Sequence, residues 1–319
     1  MNFAMEQILP PVDRELIKSE LTPEKLVRHT RSASNEIYRV NADNAPNVML
    51  EIGRLRELSF RFAGGGTGKS ADIDKFDTGP DAYNQLIVWD PADAEIVGGY
   101  RYFLCRNAGF DAENNPNIAT SSMFRFSPKF MQEYFPYTVE LGRSFVQPAY
   151  QSARDNRKSI YSLDNLWEGL GTLAVDYADI RYFFGKVTMY PHFNKQARDL
   201  ILFFLSKFFP DPDKLIYPIS PRLISSPAEE LDALFTGETI TDNFNILTKE
   251  VRKHSENIPP LFSSYSSLSS TMKTFGTALN ENFGGVEETG ILITINDIYE
   301  AKSDRYIKSY LDSKSKQPD

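Results

Sequence analysis

The chain has 319 residues, 41% of them apolar with 23 Phe and 16 Tyr, which is ample for a large core in one elaborated domain or two. Its 35 basic and 43 acidic residues leave a net charge of −8, which argues against broad, charge-driven contact with nucleic acid or anionic lipid. The single cysteine, Cys105 in the apolar run GGYRYFLC, excludes an internal disulfide and reads as a core residue of a protein in a reducing compartment.

The opening MNFAMEQILPPVDRE lacks the basic start and unbroken apolar stretch of a secretion signal, so a cytoplasmic protein is expected. Residues 1–33 read as an N-terminal arm, with Pro10, Pro11 and Pro23 and no long periodic segment. NEIYRVNA then alternates like a strand. From Asn47 to Phe62, Val48, Ile52, Leu55 and Phe62 recur at helical spacing, with Arg54, Glu57 and Arg61 off that stripe. NQLIVWD and EIVGGYRYFLC flank the turn residues DPADA and predict an antiparallel hairpin. SPKFMQEY predicts a short helix capped by Ser127, leading into the strand around Glu140.

Leu163 to Ile180 is amphipathic and helical, YFFGKVTMY an apolar strand, and Asn194 to Phe209 helical again. The greasy run LILFFLSKFF, Leu200 to Phe209, holds Ser206 and Lys207 and falls well short of the ~20 residues of a membrane span. It reads as a buried helix, with contact to a membrane surface or lipid product as the other option. LIYPIS and GILITIN are expected as strands, separated by helices around Pro227 to Leu234, Asp242 to His254 and Ser266 to Leu279. This order implies an α/β (α+β) fold, a mixed sheet with helices on both faces. No stretch resembles a flexible linker, so residues 34–319 are expected to form a single elaborated domain.

Chemistry concentrates in VELGRSFVQPAY, Val139 to Tyr150, which sets Glu140 and Arg143 in what reads as a buried strand. Ionised side chains are rarely kept there without a partner or a task. A structural ion pair and a functional pair both fit. Strict alternation puts the two on opposite faces, so a shared site needs a bulge, for which Gly142 is the candidate.

Ala63 to Ser70, AGGGTGKS, meets the relaxed phosphate-loop pattern, but its context is reversed. It follows a helix and precedes the polar, turn-rich ADIDKFDTGPDAY, whereas the mechanism needs a strand entering and a helix leaving. Nucleotide binding is therefore declined in favour of a mobile glycine loop covering a site. His29, His192 and His254 lie far apart and make no metal-ligand spacing, so no metal is expected. No G-x-S-x-G or Cys-centred nucleophile motif occurs.

Taken together, these segments resemble the ornithine-lipid and glycine-lipid type N-acyltransferases, also labelled hemolysin-like, of the GCN5-related N-acetyltransferase (GNAT) fold. These are distantly similar to acyl-homoserine-lactone synthases. The resemblance rests on Arg56 and Phe60 in an early helix, the paired Asp74 and Asp77, Arg101 after Gly98 and Gly99, and Glu140 with Arg143. It runs from about Asn35 to Leu311, with ELGRSFVQPAY, NLWEGL and IPPLFSSY its most specific parts. Two departures matter: the AGGGTGKS loop replaces the tryptophan that the lactone synthases carry before the paired aspartates, and Asp72 adds a third acid.

The resemblance implies transfer of a (3-hydroxy)fatty acyl group from an acyl carrier protein thioester to the α-amine of glycine or ornithine. That is the first step of aminolipid (lipid) biosynthesis, by direct aminolysis and with no bound cofactor. Glu140 is the implied base, and Arg143 or Arg101 the group that holds the substrate carboxylate. Arg56, Phe60, Asp74 and Asp77 would complete the substrate site. The fold's usual pyrophosphate loop is missing from QSARDNRKS, which has no glycine. Acyl carrier protein is therefore favoured over coenzyme A as donor, with Arg154, Arg157 and Lys158 as its docking residues. An O-acyltransferase acting next is an implied partner, and membrane contact would be at most peripheral, at the inner face. The alternatives are an acyl-homoserine-lactone-type synthase or another acyl-CoA enzyme of this fold and, outside enzymes, a membrane-active hemolysin-like protein.

Overall fold

The structure, a computed structural model, describes residues 5–79, 81–151 and 159–315. The chain divides into two compact units, one of residues 1–109, 139–180 and 300–319, the other of residues 110–138 and 181–299.

The first unit is built on an antiparallel sheet. Its order is β1 (Leu26–His29), β2 (Glu36–Val40), β3 (Asn84–Asp90), β4 (Glu95–Leu104) and β6 (Thr138–Val146). The segment expected as an arm with no long periodic stretch carries both β1 and a helix, α1 (Arg14–Glu20), whose N-cap Asp13 accepts a hydrogen bond from the Glu15 amide at 2.8 Å. Both are too short to show a period.

Helices cover both faces of this sheet. Gln85 and Leu86 are neighbours on β3, so their side chains point to opposite faces. Arg56 of α2 (Pro46–Phe62) donates to Gln85 Oε1 on one side. On the other, Gly169 of α3 (Ser159–Asp176) lies so close to Leu86 that an added Cβ would stand 2.6 Å from Leu86 Cδ2. The core between these layers includes Ile37, Ile52, Leu55, Leu86, Leu170 and Leu173. The last segment, α8 (Glu300–Ser303) to α9 (Ser309–Lys314), returns to α3, where the Tyr306 and Arg305 side chains donate to Asp164.

In the second unit β10 (Val286–Thr294) pairs antiparallel with β7 (Tyr182–Met189) and with β9 (Lys273–Asn280). A short pair joins β5 (Phe124–Phe126) to β8 (Ile216–Pro218). The greasy run lies in α4 (Lys195–Phe208), where Leu200, Ile201, Phe204 and Leu205 are buried as the core-helix expectation has it. Phe124, Phe130, Phe184, Phe204, Phe209 and Phe275 make an aromatic core, with Phe184 edge-on to Phe275 at 6.0 Å. Three further helices, α5 (Ala228–Leu234), α6 (Ile240–Lys253) and α7 (Pro260–Ser266), follow β8.

The helix expected around Ser266 to Leu279 is a correction: α7 ends at Ser266, and the second half of that segment, from Lys273, is β9. Between the Thr289 and Ile291 pairings on β10, β9 advances from Thr277 to Thr274, one residue too many. Gly276, at φ 78°, carries that bulge. The extra residue breaks the two-residue alternation and leaves apolar positions at helix-like intervals.

Candidate active site

Five of the expected site residues, Arg56, Asp74, Asp77, Arg101 and Arg143, converge with Asp72 in the first unit on the face of the sheet that α2 covers. Arg56 Nη1 donates to Asp77 Oδ1 at 2.9 Å, and Gln85 Nε2 donates to the same oxygen at 3.1 Å. Arg101 Nη1 donates to Asp74 Oδ1 at 2.7 Å and to Asp77 Oδ2 at 3.1 Å. Arg143 Nε stands 2.7 Å from Asp72 Oδ2, and its Nη2 is 3.5 Å from Asp74 Oδ2. Three guanidinium groups thus alternate with three carboxylates, and their charges cancel.

Local geometry makes this meeting possible. Gly53 lets the segment after the glycine loop lie against α2, because a Cβ there would sit 2.5 Å from Ile73 Cγ1; the Asp72 amide donates to Gly53 O at 2.9 Å. The Phe76 amide donates to Asp74 Oδ1 at 2.8 Å and the Asp74 amide to Asp77 Oδ2 at 3.1 Å, so both carboxylates are fixed by their own turn. On β6 the bulge that a shared site requires is present, one residue later than expected. Gly99 and Arg101 of β4 face Phe145 and Gly142, so β6 spends an extra residue between them, and Arg143 itself takes φ 49°. A left-handed arginine at this point is a strained backbone kept beside polar groups, and it turns Arg143 to the aspartates.

Glu140 is buried and accepts a hydrogen bond from the Tyr83 hydroxyl. The Tyr83 ring stacks on Phe103 at 4.7 Å, and the Arg101 guanidinium lies 5.3 Å from its centre. Tyr83, Gln85 and Asp72 were not among the expected site residues. Tyr83 stands at the end of a turn-rich stretch, and nothing in its neighbours signals a partner 57 residues away. Phe60, one turn beyond Arg56 on α2, is a core residue. Arg154, Arg157 and Lys158 lie outside the described residues.

Burial disfavours the charged form of Asp77, but the guanidinium groups of Arg56 and Arg101 outweigh it and hold the carboxyl well below the usual range. Arg101 is likewise opposed by burial, yet Asp77 and Asp74 keep it firmly protonated. Burial, with Glu140 nearby, pushes the Cys105 thiol well up. The cluster has a closed end and an open one. The Arg56 and Asp77 side chains are fully buried, whereas those of Asp74 and Arg143 are 29% and 13% exposed.

The glycine loop corrects the expectation of a mobile cover. The Thr67 and Gly68 amides donate to the Glu57 carboxylate at 3.0 and 2.8 Å, the Thr67 hydroxyl at 2.6 Å and Arg61 Nε at 2.7 Å. Gly66, at φ 99°, passes so near that a Cβ would sit 3.1 Å from Glu57 Oε1. The amides that would cradle a phosphate cradle a buried carboxylate of α2 instead, which agrees with declining a nucleotide. Glu6 straps the loop from outside, accepting from the Ser70 amide at 2.8 Å. Among the described residues no group of three or more His, Cys, Asp or Glu is arranged to hold a metal ion.

Residues 55–157 match the acetyltransferase (GNAT) domain family. A glycine N(alpha)-acyltransferase of Bacteroides thetaiotaomicron is 52% identical over 97% of this chain and 92% of its own length. One of Phocaeicola vulgatus is 52% identical over 96% and 94%. The chain belongs to this acyltransferase family. A solved structure of FeeM, an N-acyl amino acid synthase from uncultured soil microbes, is a distant likeness at TM-score 0.39 and 11% identity, over 84% of this chain and 96% of that one. The acyltransferase is thus an enzyme, an amino-acid N-acyltransferase of the α/β GNAT class, as the sequence led us to expect. No helix among its described residues is long and apolar enough to cross a membrane.

Proposed function

We propose that the enzyme acylates glycine on its α-amine, taking a long-chain, 3-hydroxylated acyl group from an acyl carrier protein thioester. The identity of 52% over nearly the whole length of two glycine acyltransferases carries this reading. In the proposed reaction the glycine carboxylate is held by Arg143 and its ammonium is drawn to Asp74, the two members of the charge cluster with solvent access. Both arginines already hold two carboxylates, but Arg101 is only 3% exposed against 13% for Arg143, so the carboxylate role goes to Arg143. Arg56, Asp77 and Phe60 support the site from behind.

Glu140 takes the surplus proton of the ammonium through Tyr83, whose hydroxyl gives its proton to Glu140 as it accepts one from the substrate. The freed amine lone pair attacks the thioester carbonyl. The C–N bond forms, the C–S bond breaks, and the thiolate leaves to be protonated while the amine sheds its second proton. No acyl-enzyme is needed, and the protein's contribution is position and polarity. The product is an N-acylated amino acid, an amphiphile that a later O-acyltransferase would convert to an aminolipid in the cytoplasm or at its membrane face.

Mass spectrometry of products from 3-hydroxyacyl carrier protein or 3-hydroxyacyl-CoA, with glycine, ornithine and lysine in parallel, tests donor and acceptor together. N-acylglycine from the carrier-protein donor is the expected result. Adducts of ornithine alone, turnover only with the coenzyme A donor, or no adduct from folded protein would each overturn the corresponding part.

A further inference from the structure

In the second unit, the segment from Lys214 to Leu223 holds three large apolar side chains in the open, Tyr217 at 51%, Ile219 at 43% and Leu223 at 76% exposed. They do not sit on a loose loop. Tyr217 belongs to β8, paired with β5; the Ile219 amide donates to Met123 O at 2.8 Å and the Arg222 amide to Thr277 O at 2.7 Å. Just beyond, the Ser225 and Ser226 amides each donate to Asp199 Oδ2 at 2.8 Å. A backbone pinned at this many points cannot turn its apolar groups inward. Their clustering therefore marks a surface that meets something, unlike a singly exposed leucine.

Charge and shape narrow the occupant. Lys195 and Lys214 are exposed and have no anionic partner among the described residues, while Arg222 is half-exposed and shares Glu287 with Arg198. Two hollows flank the strap. One of about 380 Å³ is walled mainly by apolar groups, among them Leu202, Leu205, Ile216, Tyr217 and Phe275. The other, of about 510 Å³, sets Tyr190, Phe193 and Leu223 beside Lys195, Arg198 and Arg222. Apolar and aromatic side chains on a rigid rim, with lysines that find no acid within the protein, match the boundary between the acyl chains and phosphates of a bilayer. A two-fold contact with a second copy would instead set like cations against one another.

We propose that the Lys214–Leu223 strap, with Lys195, seats the enzyme on an anionic lipid surface. It rests on the acyl-transfer reading only in that the product is an amphiphile with a bilayer as its destination. The test is flotation of the purified full chain with vesicles of phosphatidylcholine alone or mixed with phosphatidylglycerol, for wild type, the triple variant Tyr217→Ser/Ile219→Ser/Leu223→Ser and the double variant Lys195→Gln/Lys214→Gln. Wild type should bind anionic vesicles roughly tenfold more strongly than neutral ones, and the double variant should fall to the neutral level. The triple variant should lose binding to both while keeping wild-type glycine acylation in vesicle-free buffer. Wild type remaining with the soluble fraction, or the triple variant floating like wild type, overturns the proposal. So does self-association abolished by the triple variant without any lipid binding, which would assign the strap to a second copy. Vesicle binding by a protein without acyltransferase activity would leave the surface standing and remove the enzymatic reading instead.

Discussion

At the scale of single residues, the cluster explains why the three arginines and three aspartates cannot be exchanged one at a time. Asp77 neutralises two buried guanidinium groups, so Asp77→Asn leaves uncompensated charge in the interior and should cost about 3 kcal/mol or more of stability at neutral pH, measurable by urea unfolding. Because the folded state holds this carboxyl down, its stabilisation is in force above about pH 4, the range of an unfolded aspartate, and fades as the pH falls below that. The same variant should therefore have a flatter acid limb than wild type; an unchanged limb would remove Asp77 as its source. For chemistry, Glu140→Gln is expected to lower kcat by 10²-fold or more across pH with the fold intact, and Tyr83→Phe to reduce it by a smaller factor. Near-normal turnover by Glu140→Gln would sink the base assignment. The strand pattern singled out Glu140 and Arg143, and the family resemblance added Arg101 and the paired aspartates, but neither could show that the aspartates already occupy the arginines, which is a property of three dimensions.

Among the elements, the glycine loop makes the sharpest prediction. Glu57→Ala removes one carboxylate and strands the donors converging on it, including two amides, the Thr67 hydroxyl and Arg61. A loss of about 2–4 kcal/mol in stability is expected, with partial recovery in added acetate or formate, read by thermal unfolding. Lys69→Ala should be near neutral, and calorimetry with ATP should give no heat in either protein; micromolar ATP binding lost in Lys69→Ala would reverse this account of the loop. The long elements were legible because their periods are unbroken: α2, α3, α4 and the β3–β4 hairpin stand close to where the pattern put them. Legibility failed at the bulges. An extra residue in β9 at Gly276 turned a strand pattern into a helical one, and the extra residue in β6 fell on Arg143 although Gly142 was the chemically easier site. The first thirty-odd positions failed for a different reason, since α1 and β1 owe their form to tertiary contacts more than to local pattern.

For the whole molecule, Cys105 offers a clean reporter. It is the only cysteine in the sequence, it is buried, and its thiol is pushed up by that burial. A thiol reagent at pH 7 should therefore leave the native protein unlabelled and react fully once it unfolds, at a rate that tracks opening of the first unit. Prompt labelling of native protein would contradict that burial. The connectivity of the units has its own consequence for biosynthesis. Residues 300–319 belong to the first unit, and Arg305 and Tyr306 clasp Asp164 on α3, yet they leave the ribosome after every residue of the second unit. A nascent chain stalled before residue 300 would hold all of the second unit and a first unit lacking its last brace. Vectorial folding is thus barred from finishing the unit that carries Glu140 until residues 300–315 have emerged, so the candidate active site should gain full protease resistance on the ribosome only after the whole second unit has been made.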